Sequence, residues 1–173
     1  MTVEVQKRSL LKVALIVCIC LILVVASSIA VTLAVSGKDI FAGTKPTNIG
    51  IESGKLTPCP TSPNCVSSQS QDAEHKIDPL TYKSSPQEAM ANLKTTIENM
   101  EKTKIITETD NYLYAEFTSK LMGFVDDVEF FLDESANVIQ IRSASRLGES
   151  DLGVNRQRIE TIRGKLNELQ IKG

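Results

Sequence analysis

A long apolar stretch stands out near the start of the chain. From Val13 to Val35 there is no charged side chain, and only three hydroxyl-bearing residues interrupt the apolar ones. About 20 consecutive apolar residues form a helix long enough to span the hydrocarbon core of a bilayer. The pattern therefore predicts a transmembrane anchor over residues 13–35, preceded by a short cytoplasmic N-terminus over residues 1–12.

The residues in front of this stretch predict its orientation. Lys7, Arg8 and Lys12 precede it, and positive charges favour the cytoplasmic side of a membrane. The chain after the stretch is then expected outside the cytoplasm, in a periplasm, an organelle lumen or the cell exterior. A cleavable signal peptide begins in the same way, so this alternative stays open, although the length of the apolar run favours an uncleaved anchor.

The polar chain that follows is expected to contain a linker and one soluble domain. Residues 36–55 are rich in Gly, Pro, Ser, Thr and Asn and show no apolar periodicity, which is typical of a linker. Residues 56–173 are predicted to form the soluble domain. Up to about Lys83, this domain is expected to consist of an irregular loop, because the Pro- and Ser-rich pattern continues.

Apolar periodicity then predicts two helices. The first begins at Pro86 and ends near Lys102, with Ser85 and Glu88 forming a capping box at its start. The second runs from about Arg156 to Leu169, with Asn155 as its cap. Each helix has an apolar stripe at helical spacing, so both are expected to pack on one layer of the same domain.

Strands are predicted between the two helices. Residues 112–120 alternate between apolar and polar side chains, and strands are also expected near residues 105–107, 123–132 and 138–145. The predicted fold class is α+β, in which an N-terminal transmembrane helix precedes a two-layer domain. In that domain an antiparallel meander of about four strands is flanked by two helices.

Composition excludes several functions. The formal net charge is -2, and no basic surface with interleaved aromatic residues is present, so nucleic-acid binding is not expected. His75 is the only histidine, which leaves neither a convincing Ser–His–Asp arrangement nor a full set of zinc ligands. We therefore expect no metal and no cofactor.

Two cysteines lie close together after the linker. Cys59 and Cys65 are separated by a short proline-rich segment, a spacing that suits a disulfide in an oxidising compartment. A redox-active pair usually has the shorter Cys-x-x-Cys spacing, and a metal site requires further ligands. A structural disulfide is the favoured interpretation, while thiol redox chemistry and metal binding stay open.

Charged side chains recur on one face of the predicted sheet. If the alternation holds, Glu116, Asp127, Glu129, Arg142 and Arg146 point to the same side. Such a set forms either a solvated ladder of salt bridges or a polar ligand surface whose arginines receive an anion. Paired carboxylates also perform acid–base chemistry, although the spacing here does not require it.

The segment after the last strand adds one more candidate. It leads from Arg146 through a Gly- and Ser-containing loop to Arg156, at the start of the last helix. A helix N-terminus offers free N–H groups to an anion, which places Arg156 in the candidate ligand surface. The alternative is that Asp151 and Asn155 cap those groups themselves.

These segments together resemble a family of domains of unknown function, DUF1499. The resemblance covers most of the chain from Leu56 to Leu169. It rests on Cys59-Pro60, Ser62 to Ser68, Asp78 to Leu80, Tyr114 to Phe117, Phe124, Asp126 to Phe130, Arg142 to Arg146, Gly148, Ser150 to Gly153, Asn155, Arg156, Arg158 and Ile159. The resemblance implies a domain that often follows a signal or membrane segment in bacteria and photosynthetic organisms. It implies no activity, so no catalytic residue is transferred.

The function predicted from the sequence is a membrane-anchored, non-catalytic binding or interaction module with a structural disulfide. Its expected partners are the membrane, through the single N-terminal anchor, and a protein, an envelope polymer or a small anionic ligand. The alternatives are a hydrolase-like enzyme of the envelope or lumen that uses the carboxylate and arginine face, and a thiol redox protein.

Overall fold

The computed structural model describes residues 12–13, 15–29 and 41–172. The chain divides into two compact units, Met1–Ile40 and Phe41–Gly173. In the first unit, the described residues are helical, and their large apolar side chains are exposed. The second unit contains both sheets, both remaining helices and the hydrophobic core.

The predicted transmembrane helix is wrong for the described part of the chain. Residues 13 and 15–29 of the predicted span are helical, whereas residues 14 and 30–35 lie outside the described residues. No helix among the described residues has both the length and the apolar character that crossing a membrane requires. At 1.5 Å per residue, the continuous helix over residues 15–29 is about 22 Å long, against about 30 Å of hydrocarbon.

The second unit has two helices and eight strands in its described residues. The helices are α1 (Pro86–Glu98) and α2 (Val154–Lys172). The strands are β1 (Ile51–Glu52), β2 (Lys55–Leu56), β3 (Cys65–Ser67), β4 (Leu80–Thr81), β5 (Thr103–Glu108), β6 (Tyr112–Thr118), β7 (Val125–Asp133) and β8 (Val138–Ser145). Helix α1 begins as predicted, since the Ser85 hydroxyl accepts a hydrogen bond from the Glu88 amide.

The main sheet is antiparallel and has six strands, not the predicted four. Its order is β3-β8-β7-β6-β5, and β4 also pairs with β8. Strands β3 and β4 therefore lie one after the other along the same edge of β8. The strands that were not predicted are only two or three residues long, too short for an alternating pattern. Strands β1 and β2 form a separate two-stranded sheet.

The two helices pack on one face of the main sheet and bury the larger hydrophobic core. Strand side chains such as Leu113 and Phe130 meet helix side chains such as Leu93 and Ile162, and all four are fully buried. The apolar stripes of the predicted helices thus face the sheet. The predicted two-layer domain with about four strands is nevertheless wrong, since the main sheet has six strands and a separate two-stranded sheet is present.

The opposite face of the sheet is covered as well. Residues 41–57, called here the covering segment, cross it and place Ile49, Ile51 and Leu56 against Tyr112 and Tyr114. The segment also approaches the loop after β8 closely. A Cβ atom on Gly43, whose φ is +66°, would lie only 2.7 Å from the Arg146 Cβ. The face that was expected to be open therefore lies beneath a third layer.

Candidate functional site

The structure places Glu116, Asp127, Glu129, Arg142 and Arg146 together on the covered face of the sheet. The strand register explains this, since Glu129 pairs with Arg142 across β7 and β8, and Glu116 pairs with Asp127 across β6 and β7. Paired residues in a sheet point to the same side. With Tyr112 and Tyr114, these five residues form what we call the charged cluster.

One half of the charged cluster is centred on Glu129, whose side chain is fully buried. Its Oε1 accepts hydrogen bonds from the Tyr112 hydroxyl and from the Gly50 amide, each at 2.8 Å. Its Oε2 accepts from Arg142 Nη1 at 3.2 Å. The Gly50 amide belongs to the covering segment, so this carboxylate joins the sheet to the layer above it.

The other half is centred on Asp127, also almost fully buried. Arg146 donates to it twice, from Nε to Oδ2 at 2.9 Å and from Nη2 to Oδ1 at 2.7 Å. Nη2 of Arg146 also donates to Glu116 Oε1 at 2.5 Å. The Tyr114 hydroxyl adds a bond to Asp127 Oδ1 at 2.6 Å. A planar guanidinium that binds one carboxylate through two nitrogens is a strong, directional arrangement.

Burial of the charged cluster alters the acidity of its phenols. Burial raises the pKa of Tyr112, and the negative charge of Glu129 raises it further. Burial likewise raises the pKa of Tyr114, together with the hydrogen bond that its hydroxyl donates to Asp127. Lys45 of the covering segment places its Nζ over the Tyr114 ring, 4.8 Å from the ring centroid. Both hydroxyls therefore stay protonated and continue to donate.

The charged cluster is mainly an internal network and not an open surface. Arg142 and Arg146 have side-chain exposures of only 7%, and the most accessible member is Glu116 at 24%. Each carboxylate accepts from an arginine, but three carboxylates share two guanidinium groups, so one negative charge is in excess within the cluster. Among the described residues, the Arg142 Nε atom is buried without a hydrogen-bond partner. Sequence reasoning found the shared face but had no signal for its cover.

Arg156 lies apart from the charged cluster. It donates from Nη1 to the Lys76 carbonyl at 2.8 Å and from Nη2 to the Glu74 carbonyl at 2.9 Å. These contacts attach helix α2 to the loop before β4. The predicted anion site at the start of α2 instead has a cap, because Asp151 accepts hydrogen bonds from the Gly153 and Asn155 amides. The ligand surface as predicted is thus divided between two places.

Cys59 and Cys65 form a disulfide, with their Cα atoms 5.7 Å apart. This confirms the structural pairing that the spacing favoured. The closed loop holds Asn64, whose amide Nδ2 donates to the Gly148 carbonyl at 2.6 Å. The Asn64 carbonyl accepts from the Ser145 amide at 3.0 Å. The disulfide therefore supports the loop that follows β8.

His75 ties the same disulfide loop to the chain that follows. Its Nδ1 lies 2.7 Å from Asp72 Oδ1, and its Nε2 lies 3.1 Å from the Ser62 carbonyl oxygen. Both partners only accept hydrogen bonds, so a protonated ring satisfies both contacts. Burial opposes the charge, but the bonds to Ser62 and Asp72 outweigh it, and the pKa of His75 is raised. The only histidine of the sequence thus has a structural contact set.

A second polar network, which the sequence did not reveal, lies on the helix side of the sheet. The fully buried Asn155 accepts from the Ser143 hydroxyl and from Arg158 Nη1, both at 2.5 Å. Arg158 also pairs with Asp126 and lies over the Phe117 ring, 4.9 Å from its centroid. These contacts fix the start of α2 on β7 and β8. The sequence predicts Asn155 as a helix cap instead, because Asn is common at that position.

One end of the domain is apolar and exposed. Two loops meet there, residues 119–124 between β6 and β7 and residues 146–153 between β8 and α2. They border an open cleft of about 270 Å³. The large apolar side chains of this region, called here the apolar end, are Leu121, Met122, Phe124, Leu147, Leu152 and Val154. Leu121 and Leu152 are 94% and 93% exposed.

The arrangement of the described residues limits the chemistry available to them. In these residues no group of three or more His, Cys, Asp and Glu side chains is placed to hold a metal ion. The carboxylates of the charged cluster are committed to arginines and phenols, and a general acid or base needs access to its substrate. The apolar end, in contrast, offers area for contact but few ionisable groups.

Comparison with known proteins identifies a family. A family described as "Protein of unknown function (DUF1499)" matches residues 55–166. No curated protein matches the chain. The matched region begins at β2 and ends within α2, so it includes the main sheet, the disulfide, the charged cluster and both loops of the apolar end. It contains only the last part of the covering segment.

Proposed function

Because this chain belongs to the DUF1499 family, whose function is unknown, we propose its role from the structure itself. The second unit, residues 41–173, is a non-catalytic interaction module that binds its partner through the apolar end. The charged cluster provides the rigid support on which the loops of that end are mounted. Arg146 connects the two, since it binds Asp127 and immediately precedes Leu147 in the loop after β8.

The observation that carries this proposal is the exposure of two leucines at the same end. Single exposed apolar residues are ordinary, but grouped ones mark interaction sites in soluble domains. Leu152 also has a φ of +55°, a backbone conformation that costs a branched side chain free energy. Strain of this kind concentrates at functional sites. An exposed and strained leucine beside an open cleft supports a binding role.

The charged cluster supports the same proposal, because its side chains are not available to bind a substrate. Its members are buried, and they are bonded to one another and to the covering segment. Apart from Arg142 Nε, the charged groups are hydrogen-bonded within the protein, so few of them are left to contact a substrate. Glu116, as the most exposed member, marks the margin of the cluster. Ligand binding by the charged cluster stays a prediction.

The disulfide supports an oxidising compartment as the place of action. Disulfides form and persist in secreted, periplasmic and lumenal proteins and are rare in the cytosol. Cys59 and Cys65 hold the loop that bonds to Gly148 through Asn64. A compartment that keeps this bond oxidised therefore also keeps the apolar end in its binding shape.

Binding of an apolar fluorescent probe tests the proposal. The full chain is titrated with Nile red, as wild type and with Leu121→Asp and Leu152→Asn combined. Ile171→Asp serves as the matched control, since Ile171 is 84% exposed at the end of α2. The apolar N-terminal stretch is common to all three proteins. We expect a loss of probe emission in the double variant only. Equal emission from all three proteins would show that the apolar end is not a binding surface.

A further inference from the structure

We infer that the apolar end rests on a lipid surface, with the leucines at its two loop tips in contact with the lipid. This inference rests on the proposed function and names its partner. It concerns the loops 119–124 and 146–153, neither of which belongs to the N-terminal part of the chain. The argument uses the shape of this end, its charge, its internal hydrogen bonds and the place where the chain enters the domain.

The shape of the apolar end suits a deformable partner such as a fluid lipid layer. Leu121 and Leu152 project from separate loops, with the open cleft between their bases. Ser119 and Phe124 line that cleft, and they close the turn that carries Leu121, through the bond from the Ser119 amide to the Phe124 carbonyl at 2.8 Å. Two separated apolar tips fit a fluid lipid layer without a complementary partner shape. Apolar area buried in such a layer supplies the binding free energy.

The loops at this end carry no excess of positive charge. Lys120 pairs with Glu101 of the neighbouring turn, and the loop after β8 carries Glu149 and Asp151 beside the buried Arg146. A surface that docks on anionic lipids by electrostatic attraction needs an excess of Lys and Arg. No such excess is present in these loops, so the contact is apolar in origin. It should therefore form on zwitterionic lipid and persist at high salt.

Several backbone amides of the loop after β8 and the start of α2 already donate hydrogen bonds to side chains of that loop. The Leu152 amide donates to the Ser150 hydroxyl at 3.3 Å, and the Gly153 amide donates to Asp151 Oδ1 at 3.0 Å. The Asn155 amide donates to the second oxygen of Asp151 at 2.7 Å. An unsatisfied backbone group is costly in a low-polarity environment. These bonds reduce that cost when Leu152 leaves water.

The chain enters the domain at the same end. Phe41, the first residue of the second unit, packs on Phe124 with ring centroids 5.1 Å apart. This ring pair adds apolar area at the base of the loop that carries Leu121.

Single tryptophan reporters test the inference, because the natural chain has no tryptophan. Leu121→Trp, Leu152→Trp and, as control, Ile171→Trp are introduced separately into the full chain. Thermal unfolding first confirms that each variant is folded. Emission is then compared in buffer, with zwitterionic vesicles and with vesicles that contain brominated lipid, at low and high salt.

We expect the emission of Trp at positions 121 and 152 to shift to the blue on zwitterionic vesicles, at both salt concentrations, and to be quenched by brominated lipid. The control at position 171 should keep its solvent-exposed emission. A blue shift in buffer that grows with protein concentration would instead identify a second copy as the partner. That result would overturn the lipid contact and retain the proposed interaction surface.

Unchanged emission at positions 121 and 152 in every condition would also overturn the lipid contact. The Nile red comparison then decides separately whether the apolar end binds anything apolar. A shift that appears only with anionic vesicles and disappears at high salt would contradict the apolar origin of the contact, and with it the inference in this form.

Discussion

Arg146 holds Asp127 through two parallel hydrogen bonds, from Nε to Oδ2 at 2.9 Å and from Nη2 to Oδ1 at 2.7 Å, and both side chains are almost fully buried. This pair joins the middle of the main sheet to the loop after β8. The carboxylate is held in the folded protein by an arginine that belongs to the apolar end. The charged cluster is therefore bonded directly to a loop of the apolar end.

Removing the arginine of this pair should destabilise the fold strongly. Arg146→Met leaves the buried Asp127 without an arginine, which costs about 3–5 kcal/mol. Asp127→Asn should cost less, because Glu116 still pairs with Arg146. Urea unfolding of the full chain measures both costs. The combined replacement Asp127→Leu with Arg146→Met should recover a large part of the loss, because the buried carboxylate is removed together with its arginine and the Glu116 left behind is partly exposed.

The matched control for this prediction is the exposed pair of Lys94 and Glu108, whose Nζ and Oε2 atoms lie 2.9 Å apart. Lys94→Met should cost no more than about 1 kcal/mol, as is usual for a solvated pair. If Arg146→Met is as mild as Lys94→Met, the charged cluster does not support the fold.

The disulfide should contribute a moderate part of the stability. Replacement of Cys59 and Cys65 by alanine opens a short loop, and loop-closure entropy gives an expected loss of about 2–3 kcal/mol in the free energy of unfolding. Addition of a reductant should weaken the wild type and leave this variant unchanged. A reductant effect of equal size in both proteins would contradict the account, since Cys18 and Cys20 would then be responsible.

His75 should make stability depend on pH in one direction. Its pKa is raised in the folded protein above the ordinary value of 6.5. The stabilising contribution is therefore complete below about pH 6.5 and is lost as the pH rises through the folded-state pKa. The difference in unfolding free energy between wild type and His75→Gln should be larger at pH 5.5 than at pH 8.5. A difference that grows with pH would mean that the ring is neutral in the fold.

Leu152 should be a residue whose replacement stabilises the protein. Its φ of +55° lies in the left-handed region, which asparagine tolerates far better than leucine. Leu152→Asn should gain about 1 kcal/mol in unfolding free energy. Leu121→Asn is the matched control, because Leu121 is equally exposed and has no positive φ, so its effect should stay within about 0.5 kcal/mol. If the two changes altered the unfolding free energy equally, backbone strain at Leu152 would not explain the gain.

Sequence pattern predicted those elements whose residues repeat often enough to show a period. The alternation in β6 and the capping box of α1 placed one strand and one helix start correctly, and the spacing of Cys59 and Cys65 indicated their bond. Strands β1 to β4 were missed because two or three residues show no alternation. Strands β3 and β4 are held by pairing with distant residues, such as Val66 with Ser143, whereas β1 and β2 pair with each other across a two-residue turn.

The sequence predicted which five charged residues share a face, but it predicted neither the separate position of Arg156 nor the burial of that face, and ligand binding there stays a prediction. Strand register brought Glu129 and Arg142 together as the alternation indicated. Burial of that face depends on the covering segment, whose contacts come from isolated residues such as Ile49 and Gly50 without any period. Arg158 was given no role because its acidic partner Asp126 lies 32 positions away in the sequence. The apolar end was missed because exposed leucines look like core residues until a fold is known.

Amide hydrogen exchange of the full chain, with and without zwitterionic vesicles, tests the central claim most directly. The account predicts slow exchange in β6, β7 and β8 and at Gly50 in both conditions. It predicts new protection on vesicles in the loops 119–124 and 146–153. If the vesicles instead altered exchange in the covering segment and the charged cluster, while those loops stayed unchanged, the division into a supporting cluster and a binding end would be wrong.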